Sequence, residues 1–309
     1  MVPSAAVAFD FAMTDSAFDS LRETRAHDPH AVVRAAAARR RRSLLGSDGR
    51  LMLVAADHPA RGALGAGGRG GVMADRYELL QRLVTALERP GVDGVLGTAD
   101  ILEDLLLLGA LDDKIVIGSM NRGGLLGASF EMDDRFTGYD ASTIATMGFD
   151  GGKMLTRIDL QDAGTVATLE SCAHAIDNLT DHGVMAMVEP FMSSRVDGKI
   201  QNDLSAEAVI LSIGIAQGLG RSSRHTWMKL PVVDDMELVM RSTTLPTLLL
   251  GGDPTGPAHE TYARWEKALA APGVRGLVVG RSLLYPADHD VAAAVDLAVA
   301  MVHAPTTTP

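Results

Sequence analysis

Two of the five lysines in this 309-residue chain, Lys153 and Lys229, fall inside strongly apolar runs, GGKMLTRI and HTWMKLP. An ammonium group in an apolar wall is costly unless it is paired, and the usual response is a lowered pKa. A lysine that has lost its proton is a nucleophile toward carbonyl carbon. Two-residue alternation puts Trp227 and Lys229 on one face of their run and Gly151, Lys153 and Leu155 on one face of theirs. If both faces point inward, the two amines approach each other; a neighbouring cation and desolvation prepare a Schiff-base lysine at neutral pH. Carboxylates interrupt two further apolar runs, Asp57 after LMLVAA and Glu189 in VMAMVEP. A buried polar cluster pairing Lys229 with Asp57 or Glu189 is the plainer reading. Two lysines with two carboxylates favour a site, because perturbed titratable groups concentrate in active sites.

A second chemistry is legible further along the chain. Leu250-Gly251-Gly252 and Val279-Gly280-Arg281-Ser282 end two apolar runs. Glycine lets backbone N–H groups close on a phosphate, and the guanidinium adds charge-assisted hydrogen bonds. His58, beside Asp57, is a candidate substrate contact. The stretch GAGGRG at 65–70 matches a dinucleotide pattern, but about seven residues separate it from the preceding run, where such a turn is tight. It reads instead as a mobile loop over the site. The nine histidines show no metal-ligand spacing, so no metal site is expected. Cys172, the single cysteine, lies with His174 in a helical stretch that reads as packing, which excludes a disulfide framework and a thiolate zinc site.

These residues need a scaffold that points them at one place. Short apolar runs beginning at 51, 92, 114, 151, 184, 225, 246 and 275 alternate with amphipathic stretches such as Asp75 to Glu88, Ile101 to Leu111, Ala163 to Asp181, Leu204 to Leu219, His259 to Ala271 and Val291 to Val302. Eight strand–helix units, each strand apolar on both faces, predict a single (β/α)8 TIM barrel spanning 51–309. In that fold chemistry collects at the C-terminal ends of the strands, and the loops after the seventh and eighth strands frequently hold phosphate. The helix after the sixth strand is short, near Asp235 to Arg241, and the connection after the third is long, Asn121 to Thr137. Residues 1–50 read as an N-terminal helical extension, with one helix from Asp19 to Arg42 whose arginine run, Arg39 to Arg42, is a solvated face or a subunit contact.

Composition narrows the function. Hydrophobic residues make up 47% of the chain, enough for a large core, and a formal charge of -11 repels nucleic acid. No apolar run approaches the roughly 18 residues that span a bilayer. The start, MVPSAAVAFDFAMTDS, lacks the basic opening of a signal peptide, so a cytoplasmic protein is expected.

Residues 51–285 resemble the class I aldolases of the (β/α)8 fold, above all the branch holding archaeal-type fructose-bisphosphate aldolase and autoinducer-processing thiolases. The first-strand Asp of those enzymes looks like Asp57, their Schiff-base lysine like Lys229 in WMKLP, and their phosphate-binding strand ends like Gly251-Gly252 and Gly280-Arg281. Lys153 and Glu189 stand where such aldolases often carry a second lysine and an acid/base carboxylate. The chain is still more similar to actinobacterial deoxyribose-phosphate-aldolase-like proteins associated with myo-inositol catabolism. That similarity implies cleavage of 6-phospho-5-dehydro-2-deoxy-D-gluconate to dihydroxyacetone phosphate and malonate semialdehyde, with no metal or cofactor. Either Glu189 or Asp57 serves as the base, Lys153 depresses the Lys229 pKa, and a homo-oligomer is expected. Fructose-bisphosphate or deoxyribose-phosphate cleavage, a metal-dependent lyase and a non-catalytic sugar-phosphate-binding barrel are the alternatives.

Overall fold

Nine strands follow one another along the chain: β1 (Leu51–Ala55), β2 (Gly94–Gly97), β3 (Ile115–Ser119), β4 (Gly151–Ile158), β5 (Met185–Val196), β6 (Lys199–Asn202), β7 (Thr226–Pro231), β8 (Thr247–Leu250) and β9 (Val274–Val279). All but β6 pair in parallel, in the order β4-β3-β2-β1-β9-β8-β7-β5, and a β4–β5 pairing closes the ring. The computed structural model describes residues 13–252 and 256–304; residues 1–12, part of the stretch read for a signal peptide, lie outside it. The architecture is the expected (β/α)8 barrel. No described helix is long and apolar enough to cross a membrane.

Strand alternation splits the apolar residues into two layers. Leu51, Leu53, Leu96, Ile115, Ile117, Met185, Met187, Trp227, Leu248 and Val278 point inward and form a plug. Their neighbours, among them Met52, Val54, Val95, Val116 and Val188, face outward into a shell of helices. Burying each such side chain contributes about 1.5–3 kcal/mol. The amphipathic stretches form helices close to where their periodicity puts them, such as Arg76–Glu88, capped by the Asp75 carboxylate, Gly164–Asp181 and Val291–Val302.

Three local features differ from expectation. β5 outruns the barrel rim and turns back as an antiparallel hairpin with β6, through Asp197 and Gly198, both left-handed. Asp-Gly is the dipeptide that a two-residue hairpin turn favours. The GAGGRG stretch is tied down: Ala66 and Arg69 exchange backbone hydrogen bonds of 3.0 Å around left-handed Gly67 and Gly68. Arg69 then donates to the Tyr285 and Pro286 carbonyls. Its glycines serve a tight turn.

The third difference is at the N-terminus, where the single helix expected from Asp19 to Arg42 is two, Asp15–His27 and Ala31–Ala38. Pro29 explains the break, since the residue before a proline is pushed out of the helical region; Asp28 has φ -140° and ψ 73°. The arginine run is not helical but a strap, with Arg39 buried, Arg42 half-buried, and Arg40 and Arg41 still exposed to solvent. It lies across the N-terminal end of the barrel, where Arg39 donates to the carbonyls of Lys114 (2.7 Å) and Gly148 (2.6 Å). Arg40 pairs with Asp112 and Asp113, Arg41 with Asp150 and Arg42 with Asp93, while Leu44 packs under the interior plug. Arg39 is buried and Arg40 is exposed. Replacing Arg39 by Met should therefore cost about 1–3 kcal/mol in urea unfolding, through the hydrogen bonds lost to two partly buried carbonyls. Arg40→Met should cost less than about 1 kcal/mol; equal losses would contradict the strap's role.

Candidate active site

The alternation that builds the plug also selects the residues above it. Leu51, Leu53 and Ala55 point inward on β1, and two residues beyond the last comes Asp57. By the same count Ser119 follows Ile117, Glu189 follows Met187, Lys229 follows Trp227 and Gly280 follows Val278. Polar groups thus replace apolar ones at one level of the barrel, its C-terminal end.

Glu189 stands between the two lysines. Its Oε1 accepts from Lys229 Nζ at 2.8 Å, and its Oε2 is in contact with Lys153 Nζ. Lys153 also reaches Asp57 Oδ2 at 3.4 Å. The same oxygen accepts from Ser119 Oγ at 3.1 Å and is paired with Arg122. Arg122 in turn donates from Nε to Ser119 Oγ at 3.2 Å. Asp57 Oδ1 takes no hydrogen bond from the protein, and His58 Nδ1 lies 3.9 Å from it.

Three cations thus share two carboxylates out of water, and the pKa values respond. Burial and then Arg122 push the Lys153 amine well below the ordinary lysine range. Lys229 is also lowered, by burial first, with Glu189 opposing and Arg122 and Arg281 adding repulsion. Burial leads in both, and the two amines repel each other across Glu189. Burial alone would raise Glu189, but Lys153, Lys229 and Arg122 outweigh it and hold the carboxyl ionised far below its ordinary range. Arg122 is pulled down to about 10 by burial and stays protonated at neutral pH. The His58 imidazole is neutral, its pKa depressed by burial and then by Arg281 and Lys229.

A cavity of about 630 Å3 opens over this cluster. Asp57, His58, Glu189, Lys229, Gly251, Gly252, Gly280 and Arg281 line it, so eight of the nine residues singled out from the sequence share one wall. Lys153 lies behind that wall with no exposed surface. Gly280 has a packing reason for its identity: a Cβ there would meet the Ala55 carbonyl oxygen at 2.2 Å and His58 at 3.0 Å. Among the described residues, no three His, Cys, Asp or Glu side chains gather as metal ligands.

The sequence profile of the Cgl0159-like family matches residues 49–299. The chain belongs to the Cgl0159-like family. The crystal structure of Cgl0159 from Corynebacterium glutamicum (Brevibacterium flavum) is 60% identical, covers 94% of this chain and 98% of that one, and superposes with a TM-score of 0.92. Two more distant structures share the fold. One is an archaeal fructose-1,6-bisphosphate aldolase with its catalytic Lys bound to a carbinolamine intermediate, at 18% identity, 88% and 99% coverage and TM-score 0.65. The other is fructose-bisphosphate aldolase from Slackia heliotrinireducens DSM 20476, at 15% identity, 97% and 96% coverage and TM-score 0.58. No protein of curated function matches the sequence.

In this Cgl0159-like protein the cavity also holds charged groups that the sequence reading passed over. Arg157 is on β4, four residues past Lys153 and on the same face, so the period of two already pointed to it. It pairs with Asp134 at 3.0 Å and with Glu131 at 3.5 Å. Arg61, Arg122 and Glu131 come from loops, whose inward reach no periodicity encodes. Cys172 is far from this chemistry. It is buried against Thr156 Oγ1 at 3.2 Å, and burial pushes its thiol up to about 12. In the folded protein Cys172 should react with dithionitrobenzoate at less than about a tenth of its rate in the urea-unfolded chain. Comparable rates would place the thiol at the surface.

Proposed function

We propose that this protein is a class I aldolase, an aldehyde-lyase that cleaves a phosphorylated keto sugar through a Schiff base on Lys229. One observation carries the reading: Lys229 is a desolvated primary amine on the cavity wall, 2.8 Å from a carboxylate. Lys153 shares the environment but is sealed from the cavity, so only Lys229 can meet a carbonyl. Two fold neighbours are fructose-bisphosphate aldolases, one trapped as a lysine carbinolamine, which supports the same chemistry here.

Neutral Lys229 adds to the substrate ketone and gives a carbinolamine. Ionised Glu189, on its flank, takes a proton from the attacking nitrogen and passes it to the new oxygen; a second proton, from solvent, turns that hydroxyl into water, which leaves an iminium. The carbon–carbon bond beyond the adjacent carbon then breaks. Its electron pair moves into the iminium to give an enamine, while the proton of the substrate hydroxyl passes to a carboxylate and an aldehyde departs. Asp57 suits that acceptance, since it lines the cavity and its Oδ1 has no donor among the described residues. Protonation of the enamine carbon and addition of water release the second product and restore the amine. Lys153 and Arg122 help hold Glu189 ionised, and Arg122 pairs with Asp57. Arg281, with the backbone at Gly251, Gly252 and Gly280, receives the phosphate, and neutral His58 hydrogen-bonds a substrate oxygen.

The substrate we assign is 6-phospho-5-dehydro-2-deoxy-D-gluconate, cleaved to dihydroxyacetone phosphate and malonate semialdehyde as in inositol catabolism. It rests on the likeness of the site motifs to the inositol-linked aldolase-like proteins. Borohydride added with dihydroxyacetone phosphate should leave a stable adduct, located by mass spectrometry on Lys229 and missing from Lys229→Met. No adduct, or an adduct elsewhere, would overturn the reading in favour of a metal-dependent or non-catalytic barrel. Because burial lowers the Lys229 pKa, the neutral amine accumulates as pH rises through that value. The trapping rate should therefore climb with pH and level off below 10.5, the point at which an ordinary lysine loses its proton.

A further inference from the structure

The cavity is charged unevenly, and Arg61 on its wall has no carboxylate of the described residues within hydrogen-bond range. Behind and along that wall, four carboxylates are committed at hydrogen-bond range: Asp57 to Arg122 and Ser119, Glu189 to the two lysines, Asp134 to Arg157, and Glu131 to the Gly127 amide. Arg61, on the short 3-10 turn Pro59–Arg61 after β1, lines the cavity. Its nearest carboxylate oxygen, Glu131 Oε1, is 3.7 Å away and is shared with Arg157. That separation leaves the N–H groups of the Arg61 guanidinium available to another acceptor. Burial first, and then the neighbouring Arg157, lowers its pKa against the pull of Asp134, Glu131 and Glu189.

The chemistry of the surroundings selects the acceptor. A phosphate dianion at Arg61 would stand close to Glu131 and Asp134 and be repelled by both. A singly charged planar carboxylate meets less repulsion and matches one guanidinium fork through two parallel hydrogen bonds. We propose that Arg61 forms a carboxylate subsite, so that the preferred substrate is a keto-sugar phosphate whose far end is an acid, with phosphate at Arg281 and carboxylate at Arg61. The proposal rests on the Schiff-base reading of Lys229 and adds to it the residue that recognises the acid end of the assigned substrate.

The test runs the reaction in the direction of carbon–carbon bond formation, with dihydroxyacetone phosphate as donor. Two acceptor aldehydes are compared: malonate semialdehyde, which carries the carboxylate, and propanal, which does not. The wild-type protein should favour malonate semialdehyde in kcat/KM on the order of 100-fold, and Arg61→Met should reduce that preference to less than about tenfold. Arg61→Lys should fall between them, since a point charge replaces the fork. Propanal turnover within each variant serves as the control for folding. Equal use of both aldehydes by the wild type, an unchanged preference in Arg61→Met, or faster use of glyceraldehyde 3-phosphate than of malonate semialdehyde would overturn the proposal. The wild-type borohydride adduct reports the Schiff-base reading separately. Calorimetric binding of 3-hydroxypropionate against its amide reads the subsite without any chemistry at Lys229: tighter binding of the acid, lost in Arg61→Met, supports it, and equal binding contradicts it.

Discussion

Three cations and two carboxylates, Lys153, Lys229 and Arg122 against Asp57 and Glu189, are held together at the C-terminal end of the barrel on top of an apolar plug. Water cannot screen them, so each unit of charge interacts several times more strongly than it would at the surface. A buried cluster with surplus positive charge relaxes most readily by shedding a proton from an amine, because a guanidinium does not give one up. Position then decides which amine matters. Both lysines are depressed, but only Lys229 borders the cavity. Glu189 ties their two charges together.

The rest of the fold keeps this cluster dry and fixed. Inward Leu, Ile, Met and Trp side chains on the strands fill the barrel below it with apolar groups. The strap formed by Arg39 to Arg42 closes that end from outside, and Leu44 is tucked beneath the plug. The strap and the active cluster use arginine for opposite purposes: Arg39 satisfies carbonyls that would otherwise be orphaned, whereas Arg122 burdens its neighbours with charge. Above the cluster the β5–β6 hairpin adds Phe191, Ile200 and Asn202 to the cavity wall, extending the site past the barrel rim.

Much of this was legible in the sequence because it depends on strand periodicity. Eight apolar runs with helical stretches between them imposed the barrel, and a count of two along each run brought Asp57, Lys153, Glu189 and Lys229 to one inner face. The same count extends to Arg157, and the Asp197-Gly198 pair announced the hairpin, although neither was read from the sequence. Pro29 likewise marked the break in the first helix. Arg61, Arg122 and Glu131 could not be placed that way: each sits in a loop or short turn, and where such a side chain points is fixed by tertiary packing. The arginine strap was hidden for a related reason, since its partners are backbone carbonyls and carboxylates far along the chain.

The central claim concerns the protonation of one amine, and with five lysines in the chain it can be observed directly. Side-chain nitrogen NMR of the ligand-free protein, with the Lys229 signal assigned through Lys229→Arg, would follow its titration. The account predicts that Lys229 loses its proton below 10.5, the value of an unburied lysine. A Lys229 signal that titrates at or above 10.5 would contradict it.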